Sequence, residues 1–196
     1  MYCYFYDNMV KKVTIINALD PFLSRPNQEL HLAEISRIIK EPHPTARQWL
    51  NDLQRKGVLL RGYKGRLTLY KLDLNNHSIV SHMVIAEKDR LIRNCEKSLL
   101  LKELTNNLIP ILDEHTLCLI FGSASEDLEK AGDIDILIVG KVDESKIKHI
   151  SSRLNKELHM INVSSLSKIS KTLKEEIIKK HLLIQGSESI LRWMLW

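Results

Sequence analysis

Cysteine is scarce in this 196-residue chain: Cys3, Cys95 and Cys118 are odd in number and far apart, which excludes a disulfide framework and a cysteine-based zinc site. No uninterrupted apolar segment is long enough to span a bilayer, so no membrane partner is expected. The opening Met1-Tyr2-Cys3-Tyr4-Phe5-Tyr6 is aromatic but lacks the basic flank and long apolar run of a secretory signal. Internal repeats and low-complexity tracts are missing, and the histidines show no ligand spacing. Together these absences predict a reduced, cytoplasmic protein. Cys118 lies in an apolar stretch, where a buried thiol is expected rather than a reactive one.

What the chain does have is enough apolar residue, 44%, for ordinary globular cores, in one large domain or two small ones. Its formal net charge of +5 is unevenly placed. Between Arg25 and Lys71 there are ten basic residues against four acidic ones, and the rest of the chain is close to neutral. A basic N-terminal part beside a neutral remainder suggests a nucleic-acid module joined to something else.

Within the basic part, Leu32, Ile35, Ile38 and Ile39 mark one face of a short helix ending before Pro42. Pro42-His43-Pro44 predicts an extended turn, and Thr45 an N-cap. Ala46, Trp49, Leu50 and Leu53 then follow at helical spacing until Gly57. Val58-Leu59-Leu60 and Leu67-Thr68-Leu69-Tyr70 read as a hairpin around Gly62-Tyr63-Lys64-Gly65, with Arg61, Lys64 and Arg66 near its tip. Short helix, turn, longer helix and basic hairpin resemble a winged helix-turn-helix domain of the kind found in many microbial transcription regulators. The resemblance implies double-stranded DNA as partner. The face of the second helix left after burial carries Arg47, Gln48, Asn51, Gln54 and Arg55, able to reach bases or phosphates from the major groove.

Asn75-Asn76-His77-Ser78 is a polar break. After it, apolar residues from Ile79 to Leu108 predict helix up to Pro110, packed on a domain or on a second copy of the chain. A homodimer would suit a two-fold DNA site.

Further on, Leu117-Cys118-Leu119-Ile120-Phe121 ends in Gly122-Ser123, and Gly132-Asp133-Ile134-Asp135 opens a second apolar run to Val139. This reads as strand, glycine-serine turn, short helix and strand. Alternation along the second strand puts Asp133 and Asp135 on one face, where two carboxylates repel unless a cation sits between them. Hard divalent ions, magnesium above all, take oxygen ligands of this kind and share them with substrate phosphates.

The pattern resembles the nucleotidyltransferase superfamily to which polymerase beta belongs, and especially its minimal nucleotidyltransferases. The resemblance implies that Gly122 and Ser123 cradle the phosphates of a nucleoside triphosphate and that Asp133 and Asp135 hold magnesium. Three features depart from the family. Ser125, Glu126 and Gly132 stand where a basic residue, a glycine and a serine are usual, and the spacer is one residue shorter. Met160 occupies the place of a third carboxylate on the strand expected at Glu157-Leu158-His159-Met160-Ile161-Asn162-Val163. Counted from Met160, Glu157 and His159 fall on the wrong face and Asn162 on the right one. Beyond that strand, Leu166, Ile169, Leu173 and Ile177 mark one more helix, and His181–Gly186 a strand and turn. The tail from Ile190 is apolar enough to need a covering surface.

The expected fold class is α/β (α+β): a winged helix over residues 1–74, connecting helices over 75–114, and a nucleotidyltransferase-like mixed sheet with flanking helices over 115–196. The expected function is a DNA-binding protein that moves a nucleoside monophosphate from a triphosphate to a hydroxyl of a protein acceptor or small molecule. Two alternatives stand beside it: a transcription regulator whose degenerate transferase domain senses nucleotide or mediates dimerisation, and an antitoxin-type nucleotidyltransferase that modifies a partner toxin.

Overall fold

The computed structural model describes residues 16–196, so the aromatic opening and Cys3 lie outside the described residues. The chain is mixed α/β and divides into two compact units between Asp89 and Arg90, inside a long helix.

In the N-terminal unit a 3-10 turn (Asn17–Leu19) leads into a short helix, α1 (Asp20–Leu23), followed by a two-residue strand, β1 (Leu30–His31). Helix α2 (Leu32–Ile39) buries Leu32 and Ile35, and the imidazole of His31 caps it by accepting the Glu34 N–H. It ends because Lys40 turns left-handed at φ 57°, ahead of Pro42. Helix α3 (His43–Arg55) starts earlier than Thr45 suggests. Pro44 lies in its first turn, where the missing N–H would have had no partner, so the proline opens the helix instead of delaying it. Ala46, Leu50 and Leu53 are its buried stripe.

Strands β2 (Leu59–Lys64) and β3 (Leu67–Leu72) form the hairpin. Lys64 pairs with Leu67, which leaves Gly65 and Arg66 as a two-residue turn and puts Gly62, Tyr63 and Lys64 in strand rather than in the expected loop. Gly65 has φ +59°, a conformation open to glycine at the first turn position. β1 pairs with β3, giving the order β1-β3-β2. Two helices, a hairpin and a short third strand make a winged helix-turn-helix.

Helices α4 (Ile79–Lys97) and α5 (Leu99–Leu108) are separated at Ser98, whose extended backbone and hydroxyl bond to the Leu101 N–H make it the N-cap of α5. Pro110 falls in a 3-10 turn just beyond.

The C-terminal unit is built on β4 (Leu117–Phe121), β5 (Asp133–Val139), β6 (Glu157–Val163) and β7 (His181–Gln185), in the order β6-β5-β4-β7. β5 and β6 are parallel, joined through α6 (Glu144–Leu154), and the other pairs are antiparallel. One sheet face brings Cys118, Ile120, Ile134, Ile136 and Ile138 into a cluster with Leu101, Leu104 and Leu108 of α5 and Ile147 and Ile150 of α6. Leu119, Leu137 and Val139 on the opposite face are buried as well, so both central strands are apolar on consecutive residues except at Asp133 and Asp135. The single helix expected across Leu166–Ile177 is two pieces, a 3-10 turn (Leu166–Lys168) and α7 (Lys171–Lys179), because the Ser170 hydroxyl caps α7 at the Leu173 N–H. The tail forms α8 (Ser187–Leu195) and buries Ile190, Leu191 and Met194. No helix among the described residues is long and apolar enough to cross a membrane.

Candidate functional site

β5 presents Asp133 and Asp135 on one face, as alternation requires, with Ile134 and Ile136 completely buried on the other. The antiparallel pairing of Phe121 with Asp135 places the Gly122-Ser123 turn next to the second carboxylate. Gly122 has φ +69°, and a Cβ there would stand 3.0 Å from Asp135 Oδ2. Glycine is favoured by the backbone angle, and any Cβ there would also press on the end of the Asp135 side chain. Ser123 is exposed at the start of a 3-10 turn (Gly122–Ser125). The turn is also tied to β7's approach, since the Gly122 N–H donates to the Lys180 carbonyl at 3.2 Å. Lys180 Nζ meets Glu126 Oε2 at 2.7 Å, so the acidic residue after the turn carries its own counter-ion.

The frame expected for β6 is corrected by one residue. In the parallel register Asp133 pairs with Glu157, Asp135 with His159 and Ile136 with Met160. Met160 therefore packs against the apolar cluster, and Asn162, two residues on, shares its side of the strand. Glu157 and His159 are the residues on the carboxylate face, with no bulge needed. His159 Nδ1 lies 2.9 Å from Asp133 Oδ2 and 3.9 Å from Asp135 Oδ1, and its Nε2 lies 3.0 Å from Glu157 Oε1. One ligand atom each from Asp133, Asp135 and His159 lies within 4.8 Å of the others. Sequence spacing could not reveal His159 as a member, because strand register is a long-range property.

Electrostatics follow from this crowding. Partial burial, then the neighbouring Asp133 charge, push the Asp135 carboxyl above the usual carboxylate range, while His159 pulls it back. The hydrogen bond to Glu157, then the Glu157, Asp133 and Asp135 charges, raise the His159 imidazole above its ordinary value. The nearby Lys156 ammonium does not neutralise the carboxylates: it bonds the Ala131 carbonyl at 2.5 Å and the Glu129 carbonyl at 3.2 Å, pinning the loop that leads into β5. Two hard oxygen donors and an imidazole, crowded against a glycine, are a donor set that fits a divalent cation.

In the N-terminal unit, Arg47, Gln48 and Arg55 are exposed on α3, and Arg61, Lys64 and Arg66 on the hairpin. Two of these arginines are engaged internally. Arg55 is paired with Asp52, and Arg61 lies over the Tyr63 ring at 5.7 Å while donating to Asn51 Oδ1 at 3.3 Å. Asn51 is half-buried and also accepts from the Tyr70 hydroxyl at 3.4 Å, so its amide oxygen braces helix against hairpin. Arg47 from α3 and Arg66 from the hairpin turn line one shallow hollow, together with His31, His43 and Thr68 and no acidic residue.

No protein-family model and no curated protein matches the chain. Among solved structures it is similar to MepR, a transcription regulator of the Staphylococcus aureus multidrug efflux pump MepA, at 16% identity over 58% of this chain and 86% of that one, with a TM-score of 0.33. It is similar also to TrmBL2, an archaeal chromatin protein with a novel mode of DNA binding, at 18% identity over 82% of this chain and 67% of that one, with a TM-score of 0.28. The winged-helix assignment rests on element order and strand pairing, not on this likeness.

Proposed function

We propose that the chain is a DNA-binding protein of the transcription-regulator kind, docking α3 and the β2–β3 hairpin on double-stranded DNA. The observation that carries this reading is the hollow where Arg47 and Arg66 converge without an acidic neighbour. A phosphate is the ligand such a hollow suits, and the outward face of α3 beside it offers Gln48 toward base edges. Arg47, Lys64 and Arg66 are the exposed cations of this surface set apart from the internal pairs of Arg55 and Arg61. If each neutralises one phosphate, log K falls with log salt at a slope of about −3 per docked domain. Fluorescence anisotropy with a mixed-sequence duplex at several salt concentrations tests this, and Arg47→Ala/Arg66→Ala should flatten the slope by about 2. Salt-insensitive binding, or none, contradicts the proposal.

A second reading is favoured by one feature, the seating of Asp135 against Gly122. In it the C-terminal unit binds a nucleoside triphosphate with a divalent cation, for which magnesium is the sequence expectation, and serves as a nucleotidyltransferase or a nucleotide sensor. Asp133 and Asp135 would hold the cation, which would supply positive charge to offset that of the phosphates. Gly122 lets the backbone come close to phosphate oxygens, and Ser123 adds a hydroxyl. Lys180, parked on Glu126 beside the turn, supplies a positive charge that can exchange its carboxylate partner for a phosphate. On the site face of β6 the residue beside Asp135 is His159 and not a carboxylate, and Glu157 is engaged with its ring, which favours binding over turnover. Thermal unfolding with each of the four triphosphates and magnesium is the test. Wild type should be stabilised by about 2.7 kcal/mol at a hundredfold excess over Kd, and Asp133→Ala/Asp135→Ala should not; equal shifts in both remove this reading.

A further inference from the structure

We propose that His159 is the third protein ligand of the cation held by Asp133 and Asp135, and that this nitrogen donor makes the site select manganese over magnesium. The inference rests on the second reading above only in taking the two aspartates as a cation site. It adds a ligand, and with it a different metal.

Register is the foundation. Parallel pairing sets His159 directly beside Asp135 and Glu157 beside Asp133, so three strand positions present acceptor atoms to one point from two adjacent strands. His159 Nδ1 is 2.9 Å from Asp133 Oδ2 and 3.9 Å from Asp135 Oδ1. An octahedral ion with ligand bonds of about 2.1 Å has adjacent ligands about 3 Å apart and opposite ones about 4.2 Å apart. The 2.9 Å separation suits adjacent ligands and the 3.9 Å one lies between the two values, so small side-chain movements would bring the three donors onto one ion.

The ring is also oriented for this role. Nδ1 is the nitrogen turned to the aspartates, and Glu157 Oε1, 3.0 Å from Nε2, would hold the remaining proton there once Nδ1 binds an ion. A carboxylate behind the far nitrogen is how metal-bound imidazoles are fixed and made more basic. Charge supports a divalent guest as well. With a neutral imidazole, Asp133, Asp135 and Glu157 leave three negative charges together, while Lys156 is committed to backbone carbonyls and Lys180 to Glu126.

Donor chemistry then separates manganese from magnesium. Magnesium is a hard cation that prefers oxygen and dehydrates reluctantly, so replacing an oxygen by imidazole gains it little. Manganese accepts the same octahedral geometry and carboxylates as magnesium, and as a first-row transition ion it gains more from a nitrogen donor than magnesium does, although less than the later ions of that row.

Calorimetric titration of the full-length protein with Mn2+ and, separately, Mg2+, together with electron spin echo spectroscopy of the Mn2+-loaded protein, tests the proposal. Expected are Mn2+ affinity at least about tenfold above Mg2+, a 14N coupling from a bound imidazole, and loss of that coupling in His159→Ala. His159→Ala should weaken Mn2+ by about tenfold or more and change Mg2+ less than about twofold; Glu157→Gln should weaken Mn2+ by about tenfold. Comparable affinities with no 14N coupling would overturn the role of His159 while leaving the two aspartates as a cation site. Absence of binding by either ion would overturn the cation site itself. His159 is half-exposed, so its replacement does not disturb the core, and circular dichroism checks that each variant is folded.

Discussion

Replacing Gly122 by alanine separates the two demands placed on that residue. At φ +69° an alanine suffers the left-handed penalty of about 1–2 kcal/mol, and its Cβ would press Asp135 Oδ2 from 3.0 Å. Against this, alanine restricts the unfolded chain and returns about 0.4–1 kcal/mol. Gly132 supplies the control, because it lies on the same connection, has no positive φ, and a Cβ there would meet nothing within 4 Å. The unfolded-state gain cancels between Gly122→Ala and Gly132→Ala. The difference in their unfolding free energies, from urea titrations followed by circular dichroism, should therefore be about 1–2 kcal/mol with Gly122→Ala the less stable. Pushing the carboxylate aside should also weaken divalent-ion binding in Gly122→Ala and leave it unchanged in Gly132→Ala. Equal stabilities would refute the claim that the Gly-Ser turn favours a glycine at its first position.

Three other outcomes follow from individual contacts. Ser98→Ala removes the cap that separates α4 from α5 and should cost about 1 kcal/mol in urea titration, whereas Ser98→Asn should restore most of it. The Cys118 thiol, completely buried and pushed up to about 12 by that burial, should resist alkylation in the folded protein and react once it is unfolded, as mass spectrometry of the labelled peptides will show. In metal-free protein the His159 imidazole, raised chiefly by Glu157, contributes stability that is fully present below about 6.5 and is lost as pH rises through the raised value. Proton NMR should find it titrating above 6.5 in wild type and lower in Glu157→Gln.

How far the sequence can be read depends on the range of the forces involved. The pairing of Asp133 with Asp135 on one face needs only alternation within a single strand, and it is visible in the residues alone. The buried stripe of Ala46, Leu50 and Leu53 is equally local. His159 escapes because counting from Met160 assumes which parity of β6 meets the site, and that parity is fixed by pairing with β5 after an eleven-residue helix. Pro44 misleads in the opposite way: a local restraint reads as a stop, although the first turn of a helix tolerates it. The two-residue strand β1 carries too little pattern to be recognised without its partner β3. Asn51 resembles a base-reading residue by its helical position, and only the folded hairpin brings Arg61 and Tyr70 to its amide oxygen.

The most direct test of DNA recognition by α3 and the hairpin is the amide NMR spectrum of the full-length, 15N-labelled protein during titration with a mixed-sequence duplex. Shifts should concentrate at Arg47, Gln48 and residues 64–66 and spare Asp133, Asp135 and His159. An unchanged spectrum in excess duplex, or shifts centred on the β4–β7 sheet, would contradict it.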